Sequence, residues 1–301
     1  GYTYLSSPGA AKAVDDIVRP FLQQSPQVLI TNSLGTVIAF KLLREMEAEG
    51  TNVQIPLLIT MGSPLGLDAF KAKLGAPRRK PSFVDKWENF YDKTELQTFF
   101  KCLAQEDAHH GNHEANTLFR LLAFTGMRKG EALALMWDDI DFTQRTLTID
   151  KALTRGENAR LYVHQPKTAY SNRVLDLDPK TVQVLKGWQI IQRQQLLMLG
   201  FNINAKPNQL VFSNSKNTFL QPSKIRKWLT HIITKYDLKY ITVHGFRHTH
   251  ASLLFEAGAS IKQVQAQLGH SDIKTTMDVY THVTKHAKKD TAQKFARYVD
   301  I

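Results

Sequence analysis

Apolar side chains at Val14, Ile17, Val18, Phe21 and Leu22 recur three and four positions apart, which predicts a helix over residues 10–22 with one face turned to a core. The period then changes. QVLIT at 27–31 is a short continuous apolar run of the kind that forms a buried strand, and TVIAFKLLREMEAEG returns to helical spacing and ends at Gly50. VQIPLLITMG, from Val53 to Gly62, reads as a second buried strand. Two buried strands joined by a helix make a β-α-β unit with parallel strands.

Beyond this unit the pattern is different. GAPRRKPSF at 75–83 combines Gly, Pro and charge and reads as a linker, with the seam between two parts near Asp85. TELQTFFKCLAQE, HEANTLFRLLAFTG and KGEALALMW then follow as three helical stretches. A patch of strands comes next: TLTI at 146–149, RLYVHQP at 160–166 and SNRVLDL at 171–177. QPSKIRKWLTHIITKYDLK at 221–239 is an amphipathic helix with a basic start. The expected fold class is therefore mixed: an N-terminal α/β fragment over 1–85, then a mainly α-helical domain with a small antiparallel sheet over 86–301.

Composition adds a globular chain of 301 residues, 43% hydrophobic and 22% charged, large enough to bury a core. No apolar run approaches the roughly 20 residues that cross a bilayer, and GYTYLSSPGA lacks the basic flank and apolar run of a signal peptide. The lone Cys102 excludes an internal disulfide framework. A cytoplasmic location with no membrane partner is expected. Charge is uneven: residues 1–93 hold 11 Lys and Arg against 9 Asp and Glu, whereas residues 94–301 hold 28 against 18 and all 11 histidines. A basic block of this size points to a polyanion, because cations that neutralise phosphates release counterions.

Two motifs compete for the chemistry. TNSLGTVIAF places Ser33 two residues before Gly35 at a strand-to-helix turn, the geometry of a nucleophile elbow, and residues 10–80 resemble an internal piece of the α/β-hydrolase family. The crowded position two before the serine is the β-branched Thr31, and Asn32 stands where that family often has histidine. A serine needs a base, and no histidine occurs before His109. Ser33 is expected to sit in a tight turn without attacking anything.

The second constellation is larger. TGMRKGEALAL sets Arg128 at a helix start with Glu131 one turn on; HGFRHTHASLL spaces His244 and Arg247 three apart, on one helix face; LGHSDIKTTMDVYTHV supplies His270 and Tyr280. On these motifs residues 90–301 resemble the tyrosine recombinase family, the catalytic domain of the phage-integrase type. The resemblance implies an integrase-type fold and DNA strand cleavage and rejoining through a covalent 3′-phosphotyrosine. It assigns Arg128 and Arg247 to clamp the phosphate, His270 to add a hydrogen bond, His244 to assist proton removal from Tyr280, and Tyr280 to attack. A lysine on a β-hairpin protonates the leaving 5′-oxygen in that family, and Lys167 in QPKTAYSNRVLDL is the candidate, with Lys151 and Lys180 nearby.

Two guanidiniums suit a phosphodiester because each offers a planar fork of donors and keeps its charge. With arginines in that role no metal or other cofactor is expected. HHGNH at 109–113 reads as a solvated loop, since no Cys or carboxylate stands at structural-site spacing. Lys224, Arg226 and Lys227 are candidates for contacts to double-stranded DNA. The resemblance further implies that residues 284–299 form a helix docking on a neighbouring subunit, with a homotetramer at synapsis. It also implies a helical core-binding domain ahead of the catalytic part, whose place here is taken by residues 1–85. Two other readings fit parts of the chain: a noncatalytic DNA-binding remnant, and a serine esterase using Ser33.

Overall fold

The computed structural model describes residues 4, 7–32, 34–61, 81–156, 160–165, 172–202, 208–273 and 276–277. The chain divides into two compact units, one of residues 1–100 with 231–245 and one of residues 101–230 with 246–301.

The first unit contains α1 (Pro8–Gln23), β1 (Val28–Asn32), α2 (Leu34–Ala48), β2 (Ile55–Met61) and β3 (Val84–Phe90). Helix α1 starts where Ser7 accepts from the Ala10 N–H and Pro8 fills a position that needs no donor. Strands β1 and β2 pair in parallel, as the two buried runs predict, with Leu29 opposite Leu58. Leu22, Leu42, Leu43, Met46, Val53, Ile55, Leu58 and Val84 form the core between helices and sheet. Arg19 bonds Glu45 and Glu49, and Lys41 bonds Asp15, so ion pairs tie α1 to α2.

The sheet has a third strand. β3 lies parallel to β2, with Leu57 opposite Lys86 and Ile59 opposite Glu88, giving the order β1-β2-β3. The seam expected near Asp85 thus falls inside a strand, and of the expected linker residues 75–80 lie outside the described residues. VDKWENF hides its strand character because an edge strand tolerates charge. After it Asp92 and Glu95 accept from each other's N–H at 2.8 Å, a reciprocal cap that starts α3 (Lys93–His110). Tyr91 donates to the Lys239 carbonyl and Lys239 donates to Phe90 O and Glu95, which attaches residues 231–245 to this unit.

The second unit is mainly helical. It holds α4 (His113–Thr125), α5 (Lys129–Ala134), a 3-10 turn (Trp137–Asp139), β4 (Ile140–Asp141), β5 (Thr146–Ile149), β6 (Ala152–Arg155), β7 (Leu161–His164) and β8 (Arg173–Asp176). Helices α6 (Pro179–Met198), α7 (Pro222–Lys235), α8 (Gly245–Glu256) and α9 (Ile261–Leu268) follow, α7 and α8 each crossing a unit boundary. The strands form an antiparallel sheet β4-β5-β8 and a hairpin β6-β7. Three of these strands match the expected patch, and β4 and β6 are additions. The expected helix over 129–137 stops at Ala134, where Leu135 turns to extended backbone.

Instead of a loop, HHGNH is a helix junction. His109 and His110 end α3, Asn112 caps α4 by accepting from Ala115 N–H, and His113 bonds Asp107. Asp178 caps α6 and receives Arg120, and Trp188 donates to Val211 O from the helix interior. Among the described residues no helix is long and apolar enough to cross a membrane.

Candidate active site

The site assembles where two helices end and one begins. Helix α4 stops at Gly126, whose φ of 66° is the left-handed region. A Cβ there would sit 2.7 Å from His250 Cδ2 and 2.8 Å from a Leu268 methyl, so close packing as well as backbone angle requires glycine. Helix α9 stops in the same way at Gly269, φ 65°, whose N–H bonds Gln265 O and Ala266 O. In LGH, Leu268 is therefore a buried anchor packed with Ala251, Phe255 and Val264, Gly269 reverses the chain, and His270 emerges from the reversal.

Arg247, in the first turn of α8, reaches both helix ends. Its guanidinium donates to Gly126 O at 2.8 Å and Leu268 O at 2.6 Å, and the residue is 3% exposed. Burial, and then the positive charge of Arg128, pulls its pKa down to about 9, which leaves it cationic at neutral pH. Arg128 stands just ahead of α5 in extended conformation. Its N–H donates to Glu131 Oε2 at 2.7 Å, one guanidinium N–H donates to Glu131 Oε1 at 2.9 Å, and its side chain remains 40% exposed.

A third arginine completes the cluster, one that no motif in the sequence singles out. Arg173, the first residue of β8, donates to Glu131 at 2.9 and 3.2 Å and through Nε to Gln267 O at 2.9 Å. Burial pushes Glu131 up, but the hydrogen bonds and charge of Arg173, then those of Arg128, outweigh it and hold the carboxyl below its ordinary range. An arginine opening a strand is the only signal that the sequence offers for Arg173, because its partner lies 42 positions away.

His270 Nδ1 lies 2.9 Å from the Thr276 hydroxyl. Burial first, then Arg247 and Arg128, lowers its pKa to about 3, so the ring is neutral at pH 7. His250 bonds Ala123 O through Nδ1 and is lowered to about 4 by burial.

The structure brings Arg128, Arg247 and His270 together. His244 is exposed in the turn ahead of α8, in the first unit; the helix begins at Gly245, capped by the Thr242 hydroxyl, so His244 is not on the helix that carries Arg247. Lys167, Tyr280, Ser33 and the 284–299 segment lie outside the described residues. Of the alternatives to Lys167, Lys151 is bound by Asp139 and Asp150 at 2.6 and 2.9 Å, and Lys180 bonds Gln183. Lys224 bonds Glu114 at 3.0 Å and lies over the Trp228 ring, whereas Arg226 and Lys227 are exposed on α7. The Thr31 and Thr36 hydroxyls bond each other at 3.0 Å.

A buried carboxylate bonded by two guanidiniums, with the charge of a third arginine felt beside it, leaves a cluster with surplus positive charge. Residues 89–287 match the phage integrase family, and the chain belongs to that family. It is 31% identical over 212 residues to a tyrosine recombinase XerC-like protein of Caldanaerobacter subterraneus subsp. tengcongensis, covering 67% of this chain and 54% of that one. It is 33% identical over 180 residues to the integrase of Staphylococcus phage L54a, covering 59% and 50%. The chain thus spans about half the length of these curated relatives. The Tn1549 transposon integrase, solved with a circular intermediate DNA, shares the fold at a TM-score of 0.59 and 18% identity, over 97% of this chain and 95% of that one. The match to the family starts at residue 89, and the likeness of residues 10–80 to α/β-hydrolases rests on sequence pattern alone.

Proposed function

We propose that this chain breaks and rejoins DNA at specific sites through a covalent 3′-phosphotyrosine. The observation that carries this reading is the charge balance of the cluster: Arg128 and Arg173 bond Glu131, Arg247 feels its charge, and among the described residues of the cluster two positive charges are in excess. Arg128 and Arg247 retain guanidinium N–H groups beyond those bonded to the protein, and a phosphodiester supplies the matching oxygens. Neutral His270 adds one further hydrogen bond. As the pentacoordinate state gathers charge on the nonbridging oxygens, these fixed donors strengthen their hold on it.

Tyr280 is the proposed nucleophile. Its oxygen bonds phosphorus, its proton passes to His244, and the 5′-oxygen leaves with a proton from Lys167. Engagement of Lys151 with two aspartates, and of Lys180 with Gln183, favours Lys167 for that last role. Residues 86–301 form the proposed catalytic part and residues 1–85 take no part in the chemistry. Double-stranded DNA is the partner, four protomers joined through residues 284–299 form the synaptic state, and the cytoplasm is the compartment.

A nicked suicide duplex tests the reading, because it lets the cleaved end diffuse away and leaves the protein attached. Duplexes drawn from a random-sequence library should yield a denaturant-resistant protein–DNA adduct with the unaltered chain and none with Tyr280→Phe. An adduct that survives in Tyr280→Phe removes Tyr280 from the reaction.

A further inference from the structure

Glu131 is held from two sides, and the two grips are unequal. Arg173 places two guanidinium N–H groups on its two carboxylate oxygens, at 2.9 and 3.2 Å, and both side chains are nearly inaccessible, 6% and 3% exposed. Arg128 gives Glu131 only one guanidinium N–H, reaches the Gly269 carbonyl with another at a long 3.5 Å, and its side chain is 40% open to solvent. The fork geometry that arginine uses best is thus spent by the inner arginine, and the outer one is left with donors to offer.

We propose that Arg173 is a positioning residue: it neutralises Glu131 from within the protein and thereby keeps the Arg128 guanidinium available to an anion. This rests on the reading above, in which Arg128 receives a phosphate. Without Arg173, the buried carboxylate has a single guanidinium within reach among the described residues. The cost of a buried, poorly paired charge then draws Arg128 inward to form the fork itself. Arg173 also bonds Gln267 O, one residue before the Leu268 carbonyl that receives Arg247. The same side chain therefore ties strand β8 to the helix end that carries His270.

Arg173 could instead be a strut that merely stabilises the unit, and the two roles are separated by comparing rate with stability when the Glu131 charge is removed. For a strut, Glu131→Gln relieves the buried unpaired charge, so any recovery of rate follows the recovery of melting temperature. A positioning role predicts rescue of the rate beyond that, measured below the melting transition of every variant, because Arg128 is released when the carboxylate is gone. The experiment measures the rate of denaturant-trapped covalent complex on supercoiled plasmid, which offers many sequences, for the unaltered chain, Arg173→Ala, Glu131→Gln and the double variant. Thermal unfolding is followed in parallel.

Arg173→Ala should slow trapping on the order of a hundredfold, the scale of misplacing a catalytic group by an ångström. Adding Glu131→Gln should recover about tenfold of that loss. A double variant no faster than Arg173→Ala, a recovery of rate that only follows melting temperature, or Arg173→Ala at the unaltered rate, overturns the proposal. Should Arg173→Ala fail to fold, Arg173→Lys, which keeps the charge without the fork, is scored by the same rule with and without Glu131→Gln. Trapping by the unaltered chain and its absence in Tyr280→Phe test the underlying reading separately. If the unaltered chain traps nothing, both readings fall; if it traps and the rescue is missing, only the role of Arg173 does.

Discussion

Arg128 and Arg247 carry the same charge into the same cluster, but the protein depends on them differently. Arg247 is buried and satisfies two helix-end carbonyls, Gly126 O and Leu268 O, at 2.8 and 2.6 Å, whereas Arg128 is half open, bonds a carboxylate that Arg173 also holds and touches a helix-end carbonyl, Gly269 O, only at 3.5 Å. Arg247→Ala should therefore lower the melting temperature as well as the cleavage rate, since each buried carbonyl left unpaired costs about 1–3 kcal/mol. Arg128→Ala should raise the cleavage barrier by about 2.7–4 kcal/mol, the loss expected for one oxyanion donor, with little change in melting. Equal melting losses at both positions would show that the carbonyl contacts of Arg247 contribute nothing. The histidines give a second prediction at this scale. His270 and His250 have folded pKa values of about 3 and about 4, below the ordinary 6.5, so the unfolded chain binds more protons than the fold as pH drops. Stability is fully present above about pH 6.5 and is lost progressively as pH falls toward those folded values. His250→Phe, which keeps a ring and removes one proton site, should flatten the dependence of melting temperature on pH between 7 and 4.5, measured relative to the unaltered chain.

At the scale of elements, glycines record where backbones meet. Helix α5 packs against β6 so closely that a Cβ on Gly130 would lie 2.6 Å from the Leu153 carbonyl oxygen, a backbone atom that cannot swing aside. Gly187, inside α6, faces open space. Gly130→Ala should destabilise by about 1–3 kcal/mol, as overpacking does, and should slow cleavage too, because it displaces the helix that begins beside Arg128. Gly187→Ala should stabilise by about 0.5–1 kcal/mol through the unfolded chain and helix propensity. Urea midpoints at constant slope decide both signs. These elements are unequally legible in the sequence. Continuous apolar runs disclose β1 and β2, and TLTI gives β5 residue for residue, because burial writes itself into hydrophobicity. β3 reads as a seam, since its charges are compatible with an edge position and its identity as a strand comes from pairing with β2. The motif order discloses Arg128, Arg247 and His270 as a set. Arg173 is silent because its role depends on Glu131 and Gln267, which only the fold brings to it.

At the scale of the molecule, the surplus of 28 basic over 18 acidic residues in 94–301 overstates what a polyanion can feel. Several of those cations are already paired: Lys224 with Glu114, Lys151 with Asp139 and Asp150, Arg120 with Asp178, Arg173 with Glu131. A paired cation releases few counterions when DNA arrives, because its field is largely cancelled beforehand. Arg226 and Lys227, exposed on α7, are the better candidates for phosphate binding. In the proposed reading, affinity for duplex DNA falls with salt at a log-log slope of about −0.9 per neutralised phosphate. Replacing both Arg226 and Lys227 by Ala should weaken binding to unrelated sequences alike and make that slope shallower by about one for each phosphate no longer neutralised. Lys224→Ala should leave the slope almost unchanged and instead lower stability, since it strands Glu114, a carboxyl that burial already pushes up against the pull of Lys224. Fluorescence anisotropy of a labelled duplex titrated at several salt concentrations reads the slopes, and thermal unfolding reads the stability. If the Arg226/Lys227 double variant keeps the slope while Lys224→Ala reduces it, Lys224 leaves Glu114 for the backbone on binding and the basic face of α7 is presented the other way round.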